Sequence, residues 1–349
     1  MGTAMDFGLF YFSSLDTGSS KSKYSLLFDS VDYADRNGFN SVWVPERHFH
    51  PVGGLFPNPA VLASALAVKT KHLEIRAGSV VLPLHDTLRV AEEWSMVDNL
   101  SNGRTSVSIA SGWNANDFVF CPDDYDGRHN KMYQQITLLQ RLWRGERVSL
   151  INGLGKQIDV KIFPEPITPE LPIWITAGGG VNTFIKAGEL NLNILTHLLG
   201  QDIDQLADKI DAYREARRNA GHIGDGKVAL MLHTFIGTNL FTVKNEARAP
   251  LKKYLGSHMD LKNLGHTKGI NIKEIEEKII DEMLELAFER YWNTAALIGT
   301  VQTSRKMVLT LHDIGVTEIA CLVDFGISQG KVMEGLEHLR DLKNECRIL

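Results

Sequence analysis

Four ionisable residues, Glu46, Arg47, His48 and His50, directly follow a short apolar run, Ser41–Val44. The run predicts a strand, and the cluster would then lie in the loop at its carboxyl end. His48 and His50 are two residues apart, so they would share a face if the extended backbone continued. A carboxylate beside imidazoles suits proton transfer, but the same residues would also suit a structural, hydrogen-bonded ion network.

A glycine followed by a small residue, Gly78-Ser79, interrupts the apolar run Leu73–Val81. A missing side chain in a core strand lets a flat group approach the backbone, although a β-bulge explains the same pattern. Two polar residues near neighbouring strand ends, His85 and Asn58, are weaker candidates for the same site. Asn58 stands between two prolines and would equally serve as a helix cap.

The segment that ends the next strand, Ala110-Ser-Gly-Trp-Asn, carries two ligand-binding types of side chain. Ser111 and Asn114 can hydrogen-bond a ligand, and Trp113 can cover a ring or pack at the rim. Arg128 opens the following helical pattern. An arginine at a helix start is usually a solvated surface charge. Arg128 becomes a phosphate ligand only if the fold brings it to the mouth of the barrel.

A run of three glycines separates a predicted strand from a helix in Thr176-Ala-Gly-Gly-Gly-Val-Asn-Thr. Free N–H groups at a helix start, together with backbone that glycine leaves open, form an anion site. The candidate residues there are Ala177, Gly178, Gly179, Asn182 and Thr183. The run matches neither a Walker loop nor the dinucleotide fingerprint, and many such runs are only turns.

Short apolar runs alternate with amphipathic helical patterns along the whole chain, which predicts α/β architecture. About eight such units favour a (β/α)8 TIM barrel over a doubly wound open sheet. Polar, helical residues Ala249–Asn293 read as an insertion before the last βα unit, and we expect a lid at Leu255–Ile270. Leu150–Glu170 predicts a loop or small hairpin. The predicted strands are Asp6–Phe12, Ser41–Val44, Leu73–Val81, Thr105–Ala110, Ile173–Ala177, Asn191–Thr196, Val228–Gly237 and Glu318–Val323.

The composition and net charge indicate which broad class of protein this chain belongs to. The 349 residues are 44% hydrophobic and 23% charged, and the net charge is -5 without long runs of one sign. These values suit a globular protein of one large α/β domain or two smaller ones, and they disfavour nucleic-acid or membrane partners. We expect a single domain over residues 1–349. Three scattered cysteines without metal spacing fit a cytoplasmic protein without disulfides.

The order of elements in Ala77–Arg89 and Asp98–Arg104 resembles the bacterial luciferase-like family of flavin-dependent monooxygenases. An apolar strand runs into Pro83 and a polar turn, and an amphipathic helix then leads to a Gly-Arg that opens another strand. The resemblance extends from Phe7 to the final helix. It implies the luciferase type of TIM barrel, a reduced FMN cofactor supplied by a separate flavin reductase, and O2 as co-substrate.

The resemblance also implies roles for particular residues. The flavin ring would lie against a non-prolyl cis peptide at Gly78-Ser79. The FMN phosphate would be bound by Arg128, Ser111, the amides of Gly178 and Gly179, and Asn182 or Thr183. Two departures stand out, because luciferases have a catalytic histidine where Arg47 stands, and the family's common arginine is here Ser111. We therefore assign proton transfer to His48 and Glu46, with His50 and His85 as weaker candidates.

The forms Pro-Glu-Arg-His-Phe-His and Ser-Gly-Trp-Asn resemble the branch associated with polyketide and nonribosomal peptide synthesis. That branch implies hydroxylation or Baeyer-Villiger oxygen insertion in an intermediate that is free or tethered to a carrier protein, by a homodimer. Deazaflavin-dependent hydride transfer is the alternative on the same fold. A non-catalytic flavin-binding protein is a further one. A metal-dependent barrel hydrolase could use His48, His50, His197 and Asp324, although our expectation is that no metal is bound.

Overall fold

The computed structural model of the protein describes residues 4–12, 23–264 and 277–346. Strands alternate with helices through most of this range, as the pattern of apolar runs predicts. The strands are β1 Asp6–Phe10, β2 Ser41–Val44, β3 Glu74–Val81, β4 Thr105–Ala110, β5 Val148–Ile151, β6 Gln157–Val160, β7 Ile173–Ala177, β8 Asn193–His197, β9 Val228–Gly237, β10 Leu297–Thr300 and β11 Glu318–Leu322.

Helices follow nearly every strand of the main sheet and cover its outer surface. The helices are α1 Ser25–Arg36, α2 Pro59–Lys69, α3 Thr87–Ser101, α4 Arg128–Trp143, α5 Val181–Glu189, α6 Ile203–Asn219, α7 Leu240–Leu264, α8 Glu277–Thr294, α9 Val301–Asp313 and α10 Gln329–Cys346. Among the described residues, no helix has the length and apolar character needed to cross a membrane.

Eight parallel strands close into a barrel in the order β1-β2-β3-β4-β7-β8-β9-β11, and β11 pairs back with β1. The predicted TIM barrel is therefore confirmed, and the open doubly wound sheet is wrong. These eight are the strands that the sequence predicted, with small differences at their ends. β5 and β6 form a separate antiparallel hairpin, in the region predicted as a loop or hairpin.

The predicted insertion corresponds to α7 and α8, which lie between β9 and β10. Sequence analysis missed β10 and α9, which follow it. β10 has only four residues and pairs with the far end of β9, beyond the part of β9 that pairs with β11. The predicted lid falls partly on residues 265–270, which lie outside the described residues.

A charged plug fills the barrel near the beginnings of the strands. Arg76 of β3 is only 1% exposed, and its guanidinium lies 4.6 Å from the ring centroids of Trp43 and Trp174. Its Nη1 donates to Oε2 of Glu318 at 2.6 Å. Because this end of the barrel is filled by side chains, a ligand can enter only at the carboxyl ends of the strands.

Candidate active site

A cavity of about 1320 Å³ opens at the carboxyl ends of the barrel strands. Residues in or directly after seven of the eight barrel strands line it, including Phe10, Glu46, Ser79, Ser111 and Gly178. Pockets for one small ligand are typically about 300–1,000 Å³. This volume therefore suits two ligands side by side, such as a cofactor and a substrate.

Glu46, in the loop after β2, is the centre of a buried hydrogen-bond network. Its carboxylate accepts from His48 Nε2 at 2.8 Å, from His85 Nε2 at 2.6 Å and from the Val81 amide at 2.7 Å. Burial by itself raises the pKa of Glu46, but the hydrogen bonds from the two histidines outweigh it and hold that pKa below its ordinary value. Glu46 is therefore an anion held among three donors.

His85 is the partner of Glu46 nearer to solvent. Burial lowers the pKa of His85, but the hydrogen bond and the charge of Glu46 outweigh it, so the pKa lies above its ordinary value. The side chain of His85 is 33% exposed, whereas that of Glu46 is fully buried. The pair thus joins the cavity wall to a residue that can exchange a proton with water.

The two histidines of the first motif do not share a face. His48 packs edge-on against Phe120, with ring centroids 5.0 Å apart, and bonds to Glu46. His50 instead accepts a hydrogen bond from the amide of Val52 at 3.1 Å. Phe49 between them has a φ of 51°, which ends the extended backbone on which alternation depends. Neither imidazole lines the cavity, and His48 reaches it only through Glu46.

Arg47 turns inward and lines the cavity, although it is only 8% exposed. Its guanidinium lies 4.5 Å from the centroid of the Phe12 ring and 5.5 Å from that of Trp113. Burial lowers its pKa, and the electrostatic effects of Tyr254 and Asp117 oppose that shift only in part. Trp113, in the segment after β4, is half-exposed at the rim of the cavity. Its ring both covers the Arg47 guanidinium and forms part of the rim.

The peptide bond between Gly78 and Ser79 is cis, as the family resemblance implied. The pairing of β3 with β4 also shifts register there, between Ala77 and Val80, so the bulge interpretation is confirmed as well. A Cβ on Gly78 would come 2.8 Å from the Phe10 ring, which explains the glycine. Both residues line the cavity.

The remaining residues of the β4 motif divide between the cavity and the local structure. Ser111 lines the cavity. Asn114 does not, because its Oδ1 accepts from the amide of Asn116 and its Nδ2 donates to Asp117 at 2.7 Å. Asn58 likewise caps a helix, accepting from the amide of Val61 at the start of α2. The helix-cap alternative for Asn58 is confirmed.

Arg128 lies where β4 and α4 meet, with its guanidinium at the cavity wall. Its Nε donates to the Gly112 carbonyl at 2.9 Å, and its Nη1 donates to the Tyr125 carbonyl at 2.6 Å. The guanidinium also stacks on the Tyr125 ring at 4.2 Å. These contacts hold the group in place and leave Nη2 for a ligand.

The glycine turn connects β7 to α5, as predicted. Gly178 lines the cavity, and Gly179 has a φ of 129°, which favours glycine. No side chain caps the first turn of α5, which begins after Gly180. The other predicted residues of this turn, Ala177, Gly179, Asn182 and Thr183, do not line the cavity.

The insertion supplies cavity residues that sequence analysis did not name. Tyr254 comes from α7, and Arg290 and Tyr291 come from α8. Asp117, which also lines the cavity, was missed inside the segment after Trp113, because the motif pattern ended at Asn114. The only signal for the insertion residues was their position in a loop above the mouth.

Among the described residues, no group of three or more histidines, cysteines and acidic residues is placed to hold a metal ion. His48 and His50 have separate partners, and the other predicted ligands lie on β8 and after β11. The metal-hydrolase alternative therefore has no site in this part of the chain.

The family model described as luciferase-like monooxygenase matches residues 5–318. The chain belongs to the luciferase-like monooxygenase family. It is accordingly an enzyme of a flavin-dependent oxygenase class, and the resemblance drawn from the sequence motifs is confirmed.

Two relatives match this chain over alignments of different length. The oxygenase component of the flavin-dependent trigonelline monooxygenase of Acinetobacter baylyi is 24% identical over 340 residues, covering 93% of this chain and 90% of that protein. An F420-dependent glucose-6-phosphate dehydrogenase of Amycolatopsis mediterranei is 30% identical over 164 residues, covering 44% of this chain and 48% of that protein.

Similarity of structure extends further than similarity of sequence. The oxygenating constituent of 3,6-diketocamphane monooxygenase from Pseudomonas putida, a type II Baeyer-Villiger monooxygenase in complex with FMN, has a TM-score of 0.75, covering 97% of each chain at 18% identity. At that identity the likeness shows the fold. The relatives together support a flavin-type cofactor for this chain.

Proposed function

We propose that the protein is the oxygenase component of a two-component FMN-dependent monooxygenase, which takes reduced FMN from a separate reductase and O2 from solution. The observation that carries the proposal is one large cavity that has Arg128 and the glycine turn before α5 on one side and the histidine-bonded carboxylate of Glu46 on the other. The relative from Acinetobacter baylyi, named as an oxygenase component, supports the two-component form.

The residues present fit FMN. On one side, Arg128 offers Nη2, and the Gly178–Gly180 turn leads into the uncapped start of α5, so a phosphate would meet a cation and backbone amides. On the other side, Gly78 and Ser79 line the cavity without a bulky side chain, which suits the flat ring. Ser111 lies beside them and would add a hydroxyl.

Bound reduced FMN supplies the electrons with which O2 is activated and one oxygen atom is transferred to substrate. The protein's part is to hold the ring, to exclude water and to move protons. Glu46 would hold the negative charge at the cavity wall and fix the ring orientation of His48. His85 would carry protons between Glu46 and solvent, because it is hydrogen-bonded to the first and exposed to the second.

We propose that the helical insertion, α7 and α8, excludes water from the cavity. Tyr254 of α7, which is buried, and Tyr291 of α8, which is partly buried against the core, both line the cavity. Burial raises the pKa of both phenols, so they remain neutral and offer hydroxyl groups rather than charges. A dry, largely apolar mouth would favour oxygen transfer over loss of peroxide to water.

The substrate class we propose is a natural-product intermediate, either free or tethered to a carrier protein. It rests on the motifs that resemble the branch associated with polyketide and nonribosomal peptide synthesis. Hydroxylation and Baeyer-Villiger insertion are both compatible with the cavity. We also propose a homodimer, on the resemblance to the family, and the cytoplasm as its location.

Deazaflavin-dependent hydride transfer is the second candidate, favoured by the similarity to the F420-dependent dehydrogenase of Amycolatopsis mediterranei. The two candidates differ in cofactor affinity and in the use of O2. Titration of the protein under anaerobic conditions with reduced FMN and, separately, with reduced F420 measures the first difference.

Admission of O2 to each complex measures the second difference. We expect tight binding of reduced FMN and consumption of O2 with a transient change in flavin absorbance. Binding of F420 without binding of reduced FMN would replace the monooxygenase by the hydride-transfer enzyme. Binding of FMN without any reaction with O2 would leave only a flavin-binding protein.

A further inference from the structure

Arg47 is a buried cation that faces the cavity, and the charge of Asp117 offsets the effect of its burial only in part. Arg47 is 8% exposed, and its guanidinium lies against the rings of Phe12 and Trp113. Among the described residues, none accepts a hydrogen bond or forms an ion pair with this group. A guanidinium has five N–H donors in a planar fork, so most of its bonding capacity is available to a ligand in the cavity.

Two carboxyl groups of the cavity wall, those of Glu46 and Asp117, have hydrogen-bond partners other than Arg47. Glu46 already accepts from His48 and His85, as well as from the amide of Val81. Asp117 accepts from Asn114 Nδ2 at 2.7 Å. Burial raises the pKa of Asp117, which weakens it as a counter-ion. A buried charge without a partner is costly, and an anion supplied by a ligand would remove that cost.

The FMN phosphate is not that anion in the arrangement proposed above. Arg47 follows β2, whereas the glycine turn follows β7, and β3 and β4 lie between them in the barrel. A cofactor whose phosphate lies at the glycine turn and whose ring lies at Gly78 leaves Arg47 on the substrate's side of the cavity. The anion must then belong to the substrate.

The surroundings of Arg47 also describe the rest of that molecule. Phe12 and Trp113 lie against Arg47, and further apolar side chains line the same cavity, among them Phe10 and Met231. A planar guanidinium binds a carboxylate through two parallel hydrogen bonds, and its aromatic neighbours hold the fork in one orientation. At Arg47 the cavity thus combines a buried anion-binding group with aromatic side chains that pack against it.

We propose that the substrate is an organic acid with an apolar body, and that Arg47 binds its carboxylate. This inference rests on the proposed function, since it places the cofactor on the other side of the cavity. It makes Arg47 a specificity-determining residue, in the position where luciferases have a catalytic histidine. The acid group would orient the substrate so that its apolar part faces the flavin ring.

The test uses matched pairs of probes that differ in charge but hardly in shape: phenylacetate with phenylacetamide, and octanoate with octanamide. Each is titrated calorimetrically into the protein, both without flavin and with reduced FMN under anaerobic conditions. We expect each carboxylate to bind at least about tenfold more tightly than its amide, which corresponds to about 1.4 kcal/mol.

Three variants locate the source of the preference. Arg47→Met keeps much of the length and removes the charge, so the ratio of affinities should fall to about one. Arg47→Lys keeps the charge but lacks the planar guanidinium, so we expect an intermediate ratio of affinities. If Arg47→Met does not fold, Arg47→Lys is the variant that tests the proposal. Lys306→Met is the matched control, since Lys306 lines the same cavity from α9 and is exposed.

Equal affinities within each pair overturn the inference, as does a ratio that survives Arg47→Met or disappears in Lys306→Met. Failure of the proposed function gives a different result, because wild-type protein would then not bind reduced FMN. The titrations without flavin still measure the carboxylate preference in that case. A loss of reduced-FMN affinity in Arg47→Met, with the carboxylate ratio unchanged, would assign Arg47 to the cofactor instead.

Discussion

The Oε1 atom of Glu46 and the Nε2 atom of His85 lie 2.6 Å apart, although the residues are 39 positions apart in the chain. Each lies in the loop that follows one of two neighbouring strands, β2 and β3. Their parallel pairing brings the two loops to the same end of the barrel. The same carboxylate holds His48, so one buried charge organises this side of the cavity.

Substitution of Glu46 by glutamine should remove the charge with almost no change in shape. We expect product formation to fall by about 10²–10⁴-fold, the usual contribution of a positioned acid–base group, and peroxide release to rise. Affinity for reduced FMN should stay unchanged. The measurement is the ratio of oxygenated product to peroxide per flavin oxidised.

Glu165→Gln is the control for that experiment. Glu165 lies between β6 and β7, pairs with Lys161 and is 61% exposed, away from the cavity. It should behave as wild type. Full coupling of oxygen transfer in Glu46→Gln would show that the network has no part in proton movement.

The His85–Glu46 pair should make stability depend on pH. Because the pKa of His85 is raised in the folded protein, its stabilisation is complete below the unfolded value of about 6.5 and is lost as pH rises through the folded value. The lowered pKa of Glu46 gives stabilisation above about 4.3 that is lost as pH falls through its folded value.

His85→Gln tests this dependence through unfolding free energies at several pH values. The difference between wild type and variant should be larger near about pH 6 than near about pH 9. His72→Gln is the matched control, because His72 lies on the surface before β3. A difference for His85→Gln that stays constant over this range contradicts the assigned charge pair.

Arg128→Ala should weaken binding of FMN more than binding of riboflavin, because only FMN has the phosphate. Hydrogen bonds to charged groups contribute about 1.5–3 kcal/mol, so the dissociation constant for reduced FMN should rise by roughly 10–100-fold. Reduced riboflavin should bind wild type and variant alike. Anaerobic fluorescence titration measures both.

Arg144→Ala serves as the control for Arg128→Ala. Arg144 pairs with Glu146 on the surface, outside the cavity. Equal weakening of both flavins by Arg128→Ala would indicate a packing role for this arginine rather than a phosphate site.

Arg76→Met should destabilise the barrel without touching the cavity. The variant leaves Glu318 as a buried charge without its partner, which costs about 3–5 kcal/mol. Urea unfolding measures the loss, with Arg89→Met as the exposed comparison, expected within about 0.5 kcal/mol of wild type. A small effect of Arg76→Met would mean that neither the ion pair with Glu318 nor the stacking of the guanidinium between the two tryptophans contributes much to stability.

The sequence by itself predicted the eight barrel strands, the insertion over the mouth and the main polar motifs. Each of those predictions depends on a local pattern: apolar runs of strand length, helical periodicity, and glycine or polar residues at the ends of runs. β10 was missed for the same reason, because four residues between two helices carry too little pattern.

The tertiary structure decided which of these residues meet. Nothing local to Arg76 shows that a strand arginine is buried between Trp43 and Trp174, or that His85 rather than His50 would bond to Glu46. The register of the parallel strands and the closure of the barrel determine such contacts. Both are settled by long-range packing, so side chains far apart in the chain meet only once the barrel has formed.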